Sequence, residues 1–284
     1  MTTTISSVVA AREFAVSQSV VQAASMAEDF DVIQEAGQKL VAVMGSSLRQ
    51  VGTAEATRLL QVRGLKVSSY HAGMNLVELD ETEANKTIDA ALQAAVAIGA
   101  PVVSMSAGPK GNRNTTEADQ VYLARLKRAA SLARDLGVVI GVEPIHPFLC
   151  AHGYVHSLRH GAEIVAGIPN CALVFDTAHL FWDRTLFDDI KQYAGMIGLV
   201  QLGQLSSKHL ANKQWQRAPL QDGFIDLAPI LHALDEAGYR GRYEQENVLP
   251  GPLSRMECLA AIRADALWFM NVWKSGSAAL AYLP

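Results

Sequence analysis

The chain has few cysteines and no long run of any one character. Its 284 residues include Cys150, Cys171 and Cys258, an odd and scattered set that cannot build a disulfide framework. No two of them are spaced C-x-x-C, which excludes a structural zinc knuckle. No stretch reaches the roughly 18 uninterrupted apolar residues that a membrane-crossing helix needs. The most apolar window, 88–106, is broken by Asp89, Gln93, Gly99 and Pro101. The opening segment MTTTISSVVAAREFAV has neither the basic start nor the apolar run of a secretory leader. With 24 Lys+Arg against 28 Asp+Glu and no basic run, there is no electrostatic footprint for nucleic acid. These absences predict a cytoplasmic protein with no nucleic-acid and no membrane partner.

What is present is a globular composition, 50% hydrophobic and 18% charged, ordered by one repeating pattern. An amphipathic helix is followed by a glycine and then by a short apolar strand. Residues 28–36 end at Gly37 before LVAVMG at 40–45; 53–63 end at Gly64 before LKVSSYH; 80–98 end at Gly99 before PVVSMS. From Thr116 to Leu136, Tyr122, Leu126, Ala129, Ala133 and Leu136 share one face at helical spacing. Thr116 and Asp119 resemble a capping box at its start, and Gly137 stops it. Further strands fit at about 13–18, 138–143, 172–176, 197–202 and 241–246, with helices at 226–237 and 254–273. Eight strands alternating with helices predict a parallel α/β sheet closed as a single (β/α)8 barrel. A doubly wound sheet is the rival, but no G-x-G-x-x-G or P-loop follows the first strand. No low-complexity linker divides the chain, so 1–284 is read as one domain ending in the 254–273 helix.

Catalytic residues of such barrels gather at the carboxyl ends of the strands. Here Glu143 closes the fifth strand, Asp176 the sixth (followed by His179 in DTAH) and Glu246 the eighth, and Gln201 lies near the end of the seventh. A single strand-end carboxylate often caps a turn, and alone Asp176 and His179 would read that way. Three acids converging on one barrel mouth repel each other, and a divalent metal reverses that repulsion.

Several segments together resemble the xylose isomerase-like (β/α)8 superfamily: GVVIGVEPIHP, VFDTAHL, IGLVQLGQ, DGFID at 222–226 and GYRGRYEQE. That group includes sugar isomerases, epimerases, hydroxypyruvate isomerases and inosose dehydratases. The resemblance implies that Glu143, Asp176, Gln201 and Glu246 are metal ligands and that His179 contacts substrate or metal. It also implies that Glu143 and Glu246 act as the acid/base pair of an enediolate isomerisation or epimerisation. Family members usually carry H-x-x-D in the seventh strand, where this chain has Gln201 and Gln204. An amide carbonyl is a weaker donor than imidazole, so the change favours Mn²⁺ or Mg²⁺ over Co²⁺ or Zn²⁺, or signals a lost site.

Further residues complete the expectation. His71 follows the third strand and either binds a substrate hydroxyl or is a loop histidine. His146, three residues after Glu143, is a substrate-side or supporting candidate. Arg217, just before DGFID, lies where relatives contact substrate, or forms a surface ion pair. Glu244 shares strand parity with Glu246 and so points inward, with Arg242 as its most available partner. His152, His156 and His160 are spaced by four, which suits either metal binding or a helix starting near 156. Phe148, Phe181, Trp182 and Trp215 fall in loops on the active-site face, as substrate walls or as a dimer contact. The aromatic bulk admits a lyase or dehydratase acting on a larger, partly apolar carbohydrate-like substrate. The seventh-strand glutamines admit a barrel that has lost catalysis, and a homo-oligomer is compatible with either.

Overall fold

The apolar runs that follow the glycines pair side by side. In the computed structural model, which describes residues 12–273 apart from 22, 24, 213 and 252, they form eight short strands. These are β1 (Phe14–Ser17), β2 (Leu40–Met44), β3 (Lys66–His71), β4 (Val102–Ser104), β5 (Val139–Val142), β6 (Cys171–Asp176), β7 (Ile197–Leu202) and β8 (Arg242–Gln245). They close in sequence order, all parallel, with β1 hydrogen-bonded to both β2 and β8. The fold is therefore the expected single (β/α)8 barrel. The ends of the chain, 1–11 and 274–284, lie outside the described residues.

Helices between the strands cover the barrel and bury Val, Ile and Leu against it. Their boundaries come from caps. Glu81–Ile98 starts on Asp80, whose side chain accepts the Glu83 N–H, and stops at Gly99, which adopts the left-handed φ of 71° that suits glycine. Thr115–Asp135 is a correction to the sequence reading. Its capping box is Asn114 with Glu117, not Thr116 with Asp119, in keeping with asparagine as the better N-cap and the longer reach of glutamate. The final helix, Arg255–Val272, also begins in a capping box, Ser254 with Glu257. It closes the outer layer by pairing Arg255 with Glu35 of the first helix at 2.6 Å. Among the described residues no helix is long and apolar enough to cross a membrane.

Two irregularities shape the barrel wall. β3 holds one residue more than β2 between the pairs Val41↔Val67 and Ala42↔Ser69, so Ser68 is a bulge. Gly198 is the corresponding extra residue of β7 opposite Leu173 and Val174 of β6.

The histidine triplet does not form a cluster. The helix in that region starts at Leu158 with Ser157 as N-cap, so His152 and His156 precede it. His156 Nδ1 lies 2.8 Å from the Ile145 carbonyl, and His160 Nε2 lies 3.0 Å from Asp119 Oδ1. Their different partners rule out the shared metal face that the spacing allowed.

Candidate active site

Strand alternation decides which side chains reach the barrel mouth. Gln245 faces the helical layer, donating from Nε2 to Asp265 Oδ2 at 2.6 Å. Its neighbours Glu244 and Glu246 therefore turn to the interior. Glu143 is the first residue beyond β5, Asp176 the last of β6, and His71 the last of β3. Arg242, placed with Glu244 by parity, instead pairs with Glu13 at 2.9 Å, because it lies at the opposite end of β8.

The densest cluster is Glu143, Asp176 and His179, whose candidate ligand atoms all lie within 4.8 Å of one another. His179 Nε2 is 3.5 Å from Glu143 Oε1 and 3.4 Å from Asp176 Oδ2. Asp176 is fully buried; its Oδ1 accepts the Ala178 N–H at 2.7 Å, so it caps its turn as well as facing the cluster. Arg217 reaches in from the loop after β7 and donates from Nη2 to Asp176 Oδ2 at 2.9 Å. Gly203 makes this approach possible, since a Cβ there would overlap Arg217 Nη1.

A second group surrounds His71. Its Nε2 lies 3.1 Å from Gln201 Nε2, 3.2 Å from Ser69 Oγ and 3.5 Å from Glu244 Oε2. Glu244 Oε1 accepts from Ser68 Oγ at 2.5 Å. Gln201 is thus turned to an imidazole. Gln201 Oε1, Glu246 Oε2, Glu244 Oε2 and His179 Nδ1 are buried without a hydrogen-bond partner among the described residues. Buried acceptors of that kind call for a cation or a donor-bearing ligand.

Burial and mutual repulsion set the charges. Burial first, then the Glu246 and Asp176 carboxylates, push Glu143 well above the usual carboxylate range. Burial lifts Glu246 to about 7, with His71 opposing and Asp176 adding to the rise. Burial would also raise Asp176, but the Arg217 guanidinium, with help from His179, holds it below its ordinary value. Burial pulls His179 down to about 4 despite Asp176. Burial would lower His71 too, yet the Glu244 carboxylate 3.5 Å away and the Glu246 charge lift it to about 9. The mouth therefore holds the fixed Asp176–Arg217 ion pair and a protonated His71, beside two glutamates raised toward their neutral forms.

Aromatic rings form the rim over β5, β6 and β7. His146 lies between Phe181 (centroids 5.7 Å), Trp182 (5.8 Å) and Trp215 (4.7 Å). Its Nδ1 accepts the Phe148 N–H at 3.0 Å, and burial depresses its pKa to about 4, so the ring is neutral. Trp215 also stacks on His179 at 5.9 Å and on Phe148 at 6.0 Å. Trp182 donates from Nε1 to the His179 carbonyl at 2.9 Å. Phe148, Trp182 and Phe224 remain 58%, 41% and 57% exposed.

Some residues of the site gave little sequence signal. Gln204, in the place of the usual aspartate, clamps the loop that carries Arg217. Its Nε2 donates to the Leu220 and Ile225 carbonyls, and its Oε1 accepts the Leu205 and Ile225 N–H groups. Asp265 fixes the same loop through the Leu220 N–H at 2.9 Å and holds the Asn247 and Gln245 amides. It lies on the buried face with Cys258, Leu259, Ile262 and Phe269, and an acid on that face is the clue that was available. Ser68 was hidden because the bulge is a property of the pairing of β3 with β2 and cannot be read from the β3 segment alone.

The sequence profile described as xylose isomerase-like TIM barrel matches residues 22–251. Among curated proteins, the pyridoxine 5'-phosphate synthase of Aliivibrio fischeri (strain ATCC 700601 / ES114) is 24% identical over 148 residues. That alignment covers 52% of this chain and spans half the length of the relative. Among solved structures, the IOLI protein with a bound zinc atom superposes with a TM-score of 0.79 at 17% identity, over 93% of this chain and 99% of that one. The D-allulose 3-epimerase from Methylomonas sp. gives 0.74 at 17% identity, over 94% and 100%. At such identities the structures testify to the fold, while the profile covers the barrel from the first helix to the loop beyond β8 and with it every strand-end acid described above. The chain belongs to the xylose isomerase-like TIM barrel family.

Proposed function

We propose that the chain is an isomerase or epimerase of a carbohydrate-like polyol, moving a proton next to a carbonyl through an enediolate. The observation that carries this reading is a pair of half-buried carboxylates, Glu143 beyond β5 and Glu246 beyond β8, raised toward neutrality at one barrel mouth. Carboxyl groups in that state exchange protons with carbon acids near neutral pH far better than ordinary surface acids do. One glutamate takes the proton from carbon and the other returns it. The carbon and face to which it returns decide between isomerisation and epimerisation. Asp176, pinned by Arg217, stays ionised and orients rather than exchanges. Trp215 and the other rim rings shield the developing charge from water.

The donor set fits a divalent ion. Glu143, Asp176 and His179 offer two carboxylates and an imidazole within 4.8 Å of one another, Glu246 adds an unpartnered acceptor, and Gln201 adds another only while His71 Nε2 carries no proton. An ion held there would act as a Lewis acid toward the substrate carbonyl. With an imidazole in the trio, Mn²⁺, Co²⁺ or Zn²⁺ suits the site better than Mg²⁺, a shift from what Gln201 alone suggested. The zinc in the IOLI protein and the epimerase activity in the name of the Methylomonas protein support this reading.

The test is solvent exchange. Ketoses and inososes are incubated with the chain in D₂O with Mn²⁺, Co²⁺, Zn²⁺ or Mg²⁺, and loss of the C–H resonance beside the carbonyl is followed by NMR. Exchange by the wild type that disappears in Glu246→Gln supports the assignment. No exchange with any sugar and any ion sinks it.

The exposed rim favours a second reading. Proton abstraction beside a β-leaving group gives elimination, and Phe148, Trp182 and Phe224 would suit a bulkier, partly apolar leaving group. A new C=C absorbance or a released phenol from an aromatic glycoside would favour the lyase.

A further inference from the structure

Asp176 is one of the candidate metal trio, yet both of its oxygens are already engaged. Oδ1 takes the Ala178 N–H at 2.7 Å, and Oδ2 takes Arg217 Nη2 at 2.9 Å. The guanidinium is placed there by several independent features. Residue 203 is glycine, and any Cβ at that point would overlap Nη1. The backbone of Arg217 is fixed by a bridge to Leu205, flanked by Ser206 N–H to the Gln216 carbonyl at 2.8 Å and Ala218 N–H to the Gln204 carbonyl at 3.1 Å. The Gln204 side chain then locks the loop that follows, using every hydrogen bond an amide can make on both atoms. Arginine does not lose its proton in proteins, so this is a permanent positive charge on a fully buried carboxylate.

A divalent ion and a guanidinium cannot share one carboxylate oxygen without strong repulsion in so dry a site. We infer that Arg217 is the resident cation of this site, occupying the Asp176 corner until a divalent ion displaces it, so that metal loading is a competition. The inference rests on the metal-binding part of the function proposed above. Glycine at 203 gives the guanidinium its slot, the bridged loop holds it there, and the released side chain becomes available to the mouth only after the exchange.

The experiment measures Mn²⁺ affinity of the full chain by titration calorimetry after chelator treatment, without substrate. Arg217→Met should bind Mn²⁺ at least tenfold more tightly than wild type. Arg217→Lys keeps the charge but loses the two-nitrogen contact, Nη2 to Oδ2 at 2.9 Å and Nη1 to Oδ1 at 3.5 Å, and its affinity should fall between the two. Asp176→Asn should abolish binding in either background. Equal or weaker binding by Arg217→Met overturns the inference, as does the absence of Mn²⁺ binding in both proteins. A lysine variant that binds as tightly as the methionine variant also overturns it, since the whole gain would then come without removing the charge. Removing Arg217 leaves Asp176 unpaired, so each variant is checked by thermal melting. If the methionine variant does not fold, the lysine variant decides: tighter than wild type supports displacement, equal overturns it. Deuterium exchange by wild type in the same preparations separates the two proposals, because exchange without competition removes only the role of Arg217.

Discussion

The Nε2 atom of His71 lies 3.1 Å from the Nε2 atom of Gln201, two nitrogens that cannot both donate to each other. The imidazole proton therefore decides which way the amide turns. When His71 carries a proton on Nε2, the amide offers its Oε1 to the ring. When that nitrogen is bare, the NH₂ group donates to it and the carbonyl is released. Gln201 can ligate a metal through oxygen only in the second state. The seventh-strand glutamine is in this way tied to a histidine four strands away in sequence.

His71 should make the fold pH-dependent. Its pKa in the folded chain is about 9, above the ordinary 6.5 of the unfolded chain, so the folded state holds the proton more tightly. The associated stability is complete below about pH 6.5 and is lost as pH rises through about 9. The loss is on the order of 3 kcal/mol by linkage. Urea denaturation of wild type across this range should show the decline, and His71→Asn should flatten it. Equal slopes would mean that the ring is not protonated.

Glu246→Gln and Glu143→Gln should each lower turnover by roughly 10²- to 10⁴-fold, the span typical of a lost general acid or base. Both variants should keep their thermal midpoints near wild type, since an amide replaces a carboxyl already pushed toward its neutral form. A variant that retains full C–H exchange would remove that glutamate from the chemistry.

Gln204→Ala should destabilise the chain by about 2–4 kcal/mol, because two N–H groups and two carbonyls lose their partner. Gly223→Ala should act in the same direction, since a Cβ there would overlap the Gln204 side chain. Equilibrium urea unfolding measures both. Changes below about 0.5 kcal/mol, the level of an ordinary surface substitution, would show that the loop is held by something else.

Phe148→Ala should leave stability nearly unchanged, since the ring is 58% exposed. If the rim grips an aromatic group, the variant should raise KM for an aromatic glycoside several-fold while leaving that for a bare ketose alone. A uniform effect on both would assign the ring to loop packing instead.

Much of this was legible in the chain because local rules agreed with one another. Glycine after each helix and an apolar run after each glycine forced the eight-fold alternation, and Glu143, Asp176 and Glu246 stood out as acids at the ends of apolar strands. The partnerships were not legible. Which carboxylate Arg217 seeks depends on a missing side chain at Gly203, at the end of the strand after the one that Asp176 closes. Arg242 looked like the natural partner of Glu244 by parity, but parity says nothing about height along the barrel, and Glu13 is at its level. Asn114 took the cap expected of Thr116 because a chain with several capping residues in a row, NRNTTEAD, starts its helix where the pairing with a following glutamate is best.

The bulge in β3 has a topological corollary. Val67 already faces Val41, and Ser69 already faces Ala42. Deleting Ser68 would let its neighbours close up without moving a single partner in the ladder, and His71 would keep its place opposite Met44. What would vanish is the hydroxyl on Glu244, and with it the only neutral donor that the structure gives that carboxylate among the described residues. The wall of the barrel is one residue longer there than its hydrogen bonding requires, and the surplus residue serves the interior alone.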